Sequence, residues 1–166
     1  MARIKVQGLD DYAKRLEQLG SVRSTNRVIK SAIYDGAAVV ADAMKDEAST
    51  IPVVPENAHG DPAHQLNGAT AAQIRGLQEG LGVARMLSDG NGWNTKVSFD
   101  GYNSTKTAKY PGGQPNAMIA ASIEAGTSFR RKNPFITRAI RKAKASAEAA
   151  MAATADEVIN QIMEGN

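Results

Sequence analysis

The chain has 166 residues, enough for one domain with its own core, and no shift in composition divides it into two. It contains no cysteine, so disulfides, thiolate nucleophiles and zinc–sulfur sites are excluded. A formal net charge of +3 is too small to indicate a partner. No apolar run is long enough for a signal peptide or a membrane span, so we expect the protein to fold in the cytoplasm of the cell that makes it, with no membrane partner.

The first predicted elements are a strand and a long helix. Ile4 and Val6 alternate with polar residues over 2–7, which is typical of a strand with one buried face. Apolar residues at helical spacing then predict a helix from about 25 to 50. Inside it, Gly36 costs roughly 1 kcal/mol relative to alanine, so we expect a neighbour to approach closely there. We expect its charged residues to face solvent: Lys30, Asp42, Asp46 and Glu47.

The middle of the chain alternates between long loops and short elements. Prolines and glycines predict a loop over 51–69, followed by a helix from about 70 to 79. The segments 81–87 and 93–100 flank an Asp-Gly-Asn-Gly sequence, which predicts a β-hairpin. A second loop covers 101–117, after which the apolar run at 118–125 is too short to separate a helix from a strand.

A long C-terminal helix is predicted from about 134 to 163. Asn133 is suited to cap it, Pro134 to occupy its first position, and Phe135 to begin its buried side. One apolar stripe with helical spacing runs through Ile136, Ile140, Ala143, Ala147, Met151, Thr154, Val158 and Ile162. The sequence therefore predicts a single α+β domain over 1–166, in which a small antiparallel sheet (the N-terminal strand plus the central hairpin) packs against two long helices.

Three parts of the sequence together resemble a known family. Glu124, Gly126 and Thr127 are followed by a basic linker and by Asn133-Pro134-Phe135-Ile136, which looks like an E-x-G-T … P-F hallmark. The opening is similar too, with Ile4, Val6, Gly8, Leu9, Asp10 and Tyr12 in order. The segments 80–84 and 94–103 are similar to variants from Gram-positive prophages. The family is that of small siphophage head–tail joining or tail-completion proteins, also described as minor tail or neck proteins.

This resemblance implies a structural and non-catalytic protein of a tailed phage or prophage. Such a protein is assembled in the host bacterial cytoplasm and resides in the virion, in a homo-oligomeric ring at the head–tail junction or the top of the tail. The ring is expected to have six subunits. Its expected neighbours are connector or stopper, terminator and tail-tube proteins, with phage DNA passing close by. A tail terminator or a tail-tube-like protein is a less favoured alternative. We expect loops 51–69 and 101–117 to make the subunit contacts.

Residues near the hallmark leave several roles open. Glu124 lies in an apolar stretch, so it needs a partner within its own subunit or in a neighbour, whereas Gly126 and Thr127 are expected to shape a turn. A basic patch follows, and it is either a solvated face, a site for acidic protein surfaces, or a DNA-binding module. Its members between 130 and 144 include Arg130, Arg131, Lys132, Arg138, Arg141 and Lys142.

A catalytic site is not indicated. The carboxylate pairs are adjacent in sequence on predicted helices or their caps, so their side chains point apart and do not converge as a catalytic acid and base do. His59, Asp61 and His64, with Glu56 nearby, have metal-ligand chemistry, but their spacing matches no established site. We therefore expect both histidines to be solvent-exposed loop residues, and we expect the protein to bind no metal or cofactor and not to be an enzyme. A metal-dependent enzyme is the least favoured alternative.

Overall fold

The computed structural model describes residues 22–88, 90 and 92–163, and the chain is α+β. The predicted strand at 2–7 lies outside the described residues. Within them, the helices are α1 (Val22–Ser49), α2 (Ala71–Gly80), α3 (Asn116–Ala125) and α4 (Phe135–Met163). The strands are β1 (Val53–Val54), β2 (Ala69–Thr70), β3 (Leu81–Val83), β4 (Leu87–Ser88), β5 (Trp93–Asn94) and β6 (Val97–Phe99).

The predicted hairpin is present, and it contains a β-bulge. β4 pairs antiparallel with β5, and β3 is hydrogen-bonded to β6. The Ala84 N–H donates to the Lys96 carbonyl at 2.8 Å, whereas Leu87 lies opposite Asn94. Between these pairs, Arg85 and Met86 on the first strand lie opposite the single residue Thr95 on the second, which defines a β-bulge in the first strand. The N–H of Met86, left without a strand partner, donates to the Tyr34 hydroxyl at 3.0 Å.

The loop prediction for 51–69 needs one correction. β1 and the first residue of β2 fall inside that range, and the two strands pair in parallel with Val53 opposite Ala69. Such a two-residue pair carries no readable alternation of polar and apolar residues, which is why the sequence pattern misses it. The undecided segment at 118–125 is helical, and its helix begins at Asn116, two residues inside the predicted second loop.

The described chain divides into two compact units, each built from separated segments. The first contains residues 22–40, 83–97 and 143–163. Its core is formed by α1 and α4 through Val28, Ala32, Met151, Ala155 and Val158. The expected close approach to Gly36 is confirmed, since an added Cβ would lie 2.5 Å from Cγ of Met151. The hairpin is tied to α1 here: the Trp93 Nε1–H donates to Asn26 at 2.8 Å, and the Lys30 ammonium lies 3.6 Å from the indole centroid.

The second unit contains residues 41–82 and 98–142. Its largest fully buried side chains are Phe135, Ile51, Leu77 and Ile123. The Phe135 ring packs at 5.9 Å against that of Phe99, which brings the start of α4 onto the end of β6. The expected helix at 70–79 is α2, whose first turn is closed by Thr70 and Gln73 in a capping box.

The buried side of α4 differs in part from the predicted stripe. Ala143, Ala147, Met151 and Val158 are buried as expected. At the start of the helix, however, Phe135 and Ala139 are buried, whereas Ile136 and Ile140 are only half-buried. Ala155 likewise takes the place expected for Thr154. Phe135 is the bulkiest apolar side chain in the first turn, so its burial sets which side of the helix faces the core.

Candidate interaction surface at the start of the C-terminal helix

The segment between α3 and α4 is a tight turn fixed by backbone hydrogen bonds. Gly126 follows α3 with a φ of +76°, a conformation that glycine adopts without strain. The N–H of Thr127 donates to the Arg130 carbonyl at 2.8 Å, and the Thr127 hydroxyl accepts the Phe129 N–H at 3.2 Å. Gly126 and Thr127 thus shape the turn, as their residue types predict.

Glu124 caps the next helix. Its carboxylate accepts the N–H of Ile136 at 2.8 Å and the N–H of Thr137 at 3.2 Å, and it also accepts the Thr137 hydroxyl. These two N–H groups are among the four at a helix start that have no partner inside the helix, and a negative charge there is favoured by the helix dipole. The partner of Glu124 therefore lies within its own chain, and it consists of backbone N–H groups.

The predicted capping roles of Asn133 and Pro134 are shifted by one residue. The Pro134 carbonyl accepts the Arg138 N–H at 3.0 Å, so Pro134 occupies the capping position and Phe135 is the first helical residue. Proline has no side-chain acceptor, which leaves the cap to Glu124. Asn133 instead donates its N–H to the Ile123 carbonyl at 2.8 Å and accepts from the Arg138 guanidinium at 2.8 Å.

Three members of the basic patch are engaged inside the second unit. The Arg130 guanidinium donates to the Gln73 side chain at 2.9 Å and to the Ser122 hydroxyl at 3.4 Å, and burial lowers its pKa. Arg138 and Lys142, one turn apart on α4, both donate to the carboxylate of Glu47. Each of these three cations therefore has a side-chain partner within the second unit, while 70% of the Lys142 side chain remains exposed.

Glu47 corrects the expectation of a solvent-facing charge. Only 4% of its surface is exposed, and its carboxylate lies 2.9 Å from Arg138 Nε. The hydrogen bonds from Lys142 and then from Arg138 lower the pKa of Glu47 below its usual value, against the opposing effect of burial. The helical period does place position 47 on the buried side of α1, so the signal was present in the spacing and was outweighed by the residue type.

The remaining patch residues are open to solvent. Arg131, Lys132 and Arg141 are exposed, and within the described part of the chain none of them forms an ion pair. Phe129 lies immediately before this basic run, at the tip of the turn, with 55% of its surface exposed. Phe135, in contrast, is fully buried, as its place at the helix start predicts. The exposed part of the patch therefore consists of Arg131 and Lys132 beside the Phe129 ring, with Arg141 further along on α4.

Loop 51–69 is held against this turn by contacts within the chain. The Leu66 N–H donates to the Phe129 carbonyl at 2.9 Å, and the Arg131 N–H donates to the Leu66 carbonyl at 2.8 Å. The Gln65 side chain adds a bond to the Thr127 carbonyl at 2.8 Å. Each of these bonds uses at least one backbone group, which every residue has, so no sequence motif predicts them.

The loop residues with metal-ligand chemistry have structural partners instead. Asp61 accepts the N–H groups of Ala63 and His64 at 2.8 and 2.7 Å, and the second of these bonds is the main cause of its lowered pKa. Glu56 accepts the Ala72 N–H at 3.0 Å and so helps to cap α2. Among the described residues, no three His, Asp or Glu side chains converge in a way that could hold a metal ion.

Comparisons with family models, with curated proteins and with solved structures find no match for this chain. No helix in the described ranges is both long enough and apolar enough to cross a membrane.

Proposed function

We propose that this chain is a structural, non-catalytic virion protein of a tailed phage or prophage, acting in head–tail joining or tail completion as one subunit of a ring. The proposal begins from the resemblance of Glu124-x-Gly126-Thr127 and Asn133-Pro134-Phe135 to the family hallmark. A closed ring needs head-to-tail contacts between identical subunits, and six is the expected number. The expected partners are other copies of this chain and the neighbouring connector, terminator and tail-tube proteins.

One observation carries the proposal: the hallmark residues together build a single structural joint. Glu124 caps α4, Gly126 permits the turn, Asn133 connects α4 to α3, and Phe135 fills the core. Residues that act together to fix an architecture are what a family of assembly proteins would be expected to share. A shared catalytic site would instead need convergent reactive groups.

Three carboxylates of the second unit support a non-catalytic role. Glu47, Glu56 and Glu124 are each engaged with cations or helix N–H groups of the same chain. Each is thus held in a stabilising contact, and none of these contacts positions an acid opposite a base.

The two long loops remain the proposed subunit contacts. Each displays a large apolar side chain: Val53 is 67% exposed in loop 51–69, and Tyr102 is 73% exposed in loop 101–117. Large exposed apolar side chains are common at protein interfaces, and aromatic residues are enriched there.

Native mass spectrometry over a concentration series, combined with electron microscopy of any large species, tests the ring. We expect a closed ring, and we expect Tyr102→Lys to shift the population towards smaller species by placing a charge in a contact. Lys96→Ala, at another exposed position outside both loops, is the matched control and should leave the population unchanged. A chain that remains monomeric at every concentration would contradict self-assembly in the absence of a tail.

A second candidate function is DNA binding through the exposed part of the basic patch. The observation that favours it is the exposed Phe129 ring beside Arg131 and Lys132, because a base can stack on an aromatic ring while cations contact the phosphates. Fluorescence anisotropy with a labelled single-stranded oligonucleotide, repeated at several salt concentrations, tests it. Affinity should fall steeply with salt and fall further in Phe129→Ala, whereas Lys106→Ala should have a smaller effect.

A further inference from the structure

The charges along α4 are distributed against the preference of the helix dipole. All cations of the helix lie in its first third, at Arg138, Arg141, Lys142 and Lys144, and all of its acids follow at Glu148, Asp156 and Glu157. Acids are favoured near a helix N-terminus and cations near its C-terminus, so this order gives α4 no stability of its own. Contacts with Glu47 on α1 account for Arg138 and Lys142, whereas, within the described residues, no ion pair accounts for the other charges of the helix.

An exposed row of side chains connects the two charged ends. The row consists of Arg141, Ala145, Ala149, Ala153 and Glu157, each four residues from the next, and every member is exposed. It lies opposite the buried row of Ala139, Ala143, Ala147, Met151 and Ala155. Rows with this spacing form the ridges through which helices most often pack, with the helix axes inclined at roughly 50°.

The row is symmetric in position and opposite in charge about its centre. Arg141 lies eight residues before Ala149, and Glu157 lies eight residues after it. Asp156, adjacent to Glu157, adds a second exposed acid at that end of the row. Within the described part of the chain, no ion pair involves Arg141 or Glu157, and Glu157 accepts a hydrogen bond from the neutral Gln161 side chain at 3.1 Å.

We propose that this row is a docking surface for a second copy of the same chain, with the two α4 helices antiparallel and Ala149 at the two-fold axis. Arg141 of each copy then lies beside Glu157 of the other, at both ends of the contact. The three alanines between them allow the helices to approach to about 8 Å between axes, the lower end of the usual range. Antiparallel alignment also sets the positive end of each helix dipole beside the negative end of its partner.

Other alignments of two α4 helices would pair fewer opposite charges. A parallel pair in register would bring Arg141 against Arg141 and Glu157 against Glu157, which is repulsive at both ends. A parallel pair shifted along the axis would join one charged end only. The symmetric charge pattern therefore selects another copy of this chain, in the antiparallel orientation, as the occupant.

This contact is separate from the proposed ring. A two-fold contact uses the same surface on both copies and closes on itself, whereas a ring requires two different surfaces. The α4 pair forms or fails independently of any head-to-tail contact made by the loops, so tests of the two proposals are distinguishable.

Single cysteines test the geometry directly, because the natural chain has none. In the full-length protein under mild oxidation, Ala149→Cys should form a dimer that is reversed by reductant, since the two sulfurs meet at the axis. Ala145→Cys and Ala153→Cys, each alone, are matched controls on the same exposed row. In the antiparallel pair, each would lie about 12 Å along the axis from its own copy, too far for a disulfide. A mixture of the two should cross-link, because position 145 of one copy faces position 153 of the other.

Charge exchange tests the complementarity. By sedimentation velocity, Arg141→Glu and Glu157→Arg should each raise the dimer dissociation constant about tenfold or more, since every change acts at both ends of a symmetric contact. The double variant that carries both Arg141→Glu and Glu157→Arg should have the dissociation constant of the wild type. Circular dichroism of each variant confirms that the helix is retained, as expected for exposed positions.

The proposal is overturned if Ala149→Cys cross-links no faster than Ala145→Cys or Ala153→Cys alone. It is also overturned if the single charge reversals leave the dissociation constant unchanged while the circular dichroism is native. Cross-linking at Ala149 combined with rescue by the double exchange establishes the antiparallel pair.

Discussion

The first turns of α2 and α4 both have backbone N–H groups that need an acceptor. In α2 the acceptor is adjacent in sequence, whereas in α4 it comes from the preceding helix. α2 is capped by Thr70, whose hydroxyl accepts the Gln73 N–H at 3.2 Å, while the Gln73 side-chain oxygen accepts the Thr70 N–H at 3.3 Å. α4 is capped by Glu124, which lies twelve residues before the first N–H that it binds. A local cap closes its own turn, whereas a remote cap also joins two helices. Loss of the remote cap should therefore loosen the connection between α3 and α4 as well as the first turn.

The largest expected effect is at the core beneath the α4 cap. Phe135→Ala removes a fully buried ring that packs on Phe99, so it should lower the free energy of unfolding by about 3–5 kcal/mol. Urea denaturation followed by circular dichroism measures the loss. Phe129→Ala, at an exposed ring six residues earlier, is the control, and it should remain within about 0.5 kcal/mol of the wild type. Equal losses in the two variants would contradict the assigned burial.

The next largest effect should come from the ion pairs that hold the first turns of α4 against α1. Arg138→Ala removes a partner from the buried Glu47 carboxylate and from Asn133, which should cost about 2–3 kcal/mol. A double-mutant cycle with Glu47→Gln isolates the coupling between the two side chains. Arg141→Ala, at an exposed cation without an ion-pair partner in the described chain, should change stability by less than about 0.5 kcal/mol when measured on the monomer.

The direct comparison of the two caps comes third. Glu124→Ala leaves two N–H groups and a hydroxyl of α4 without their acceptor and should cost about 2 kcal/mol. Thr70→Ala removes one acceptor and should cost about 1 kcal/mol. Amide hydrogen exchange separates the two kinds of cap: faster exchange in Glu124→Ala should extend into α3, whereas in Thr70→Ala it should be confined to the start of α2. Exchange confined to the start of α4 in Glu124→Ala would show that the remote cap acts only locally.

The smallest expected effect is a dependence of stability on pH. The pKa of Glu47 is lowered in the folded state by Lys142 and Arg138. Its contribution is therefore fully present above the unfolded pKa, near the usual value of 4.5, and is lost as pH falls through the lower folded pKa. Denaturation of the wild type and of Glu47→Gln at a series of pH values measures the difference between their free energies of unfolding. This difference should become smaller as the pH falls below about 4.5. A difference that stays constant into acid would mean that the stabilisation by Glu47 does not depend on its charge.

Sequence reasoning recovered the elements whose signals are local. The period of apolar residues defines α1 and α4, the Asp-Gly-Asn-Gly sequence defines the hairpin, and Pro134 marks the beginning of the last helix to within one residue. The two-residue pair of β1 and β2 was missed, because a strand that short has no period to read. Local signals thus suffice for long elements and strong turns.

The sequence by itself determined where the long helices and the hairpin form, since spacing, turn residues and proline act within a few positions of the chain. Only the tertiary structure decided which charges are free. Glu47 lies 91 residues from Arg138 in sequence, and Gln73 lies 57 residues from Arg130. From the sequence alone, all cations of the basic patch are therefore predicted to lie on one exposed surface. Once the chain is folded, Arg130, Arg138 and Lys142 have side-chain partners from distant parts of the chain, whereas Arg131, Lys132 and Arg141 form no ion pair within the described residues. The Glu47 carboxylate is buried because both of its cationic partners are in place.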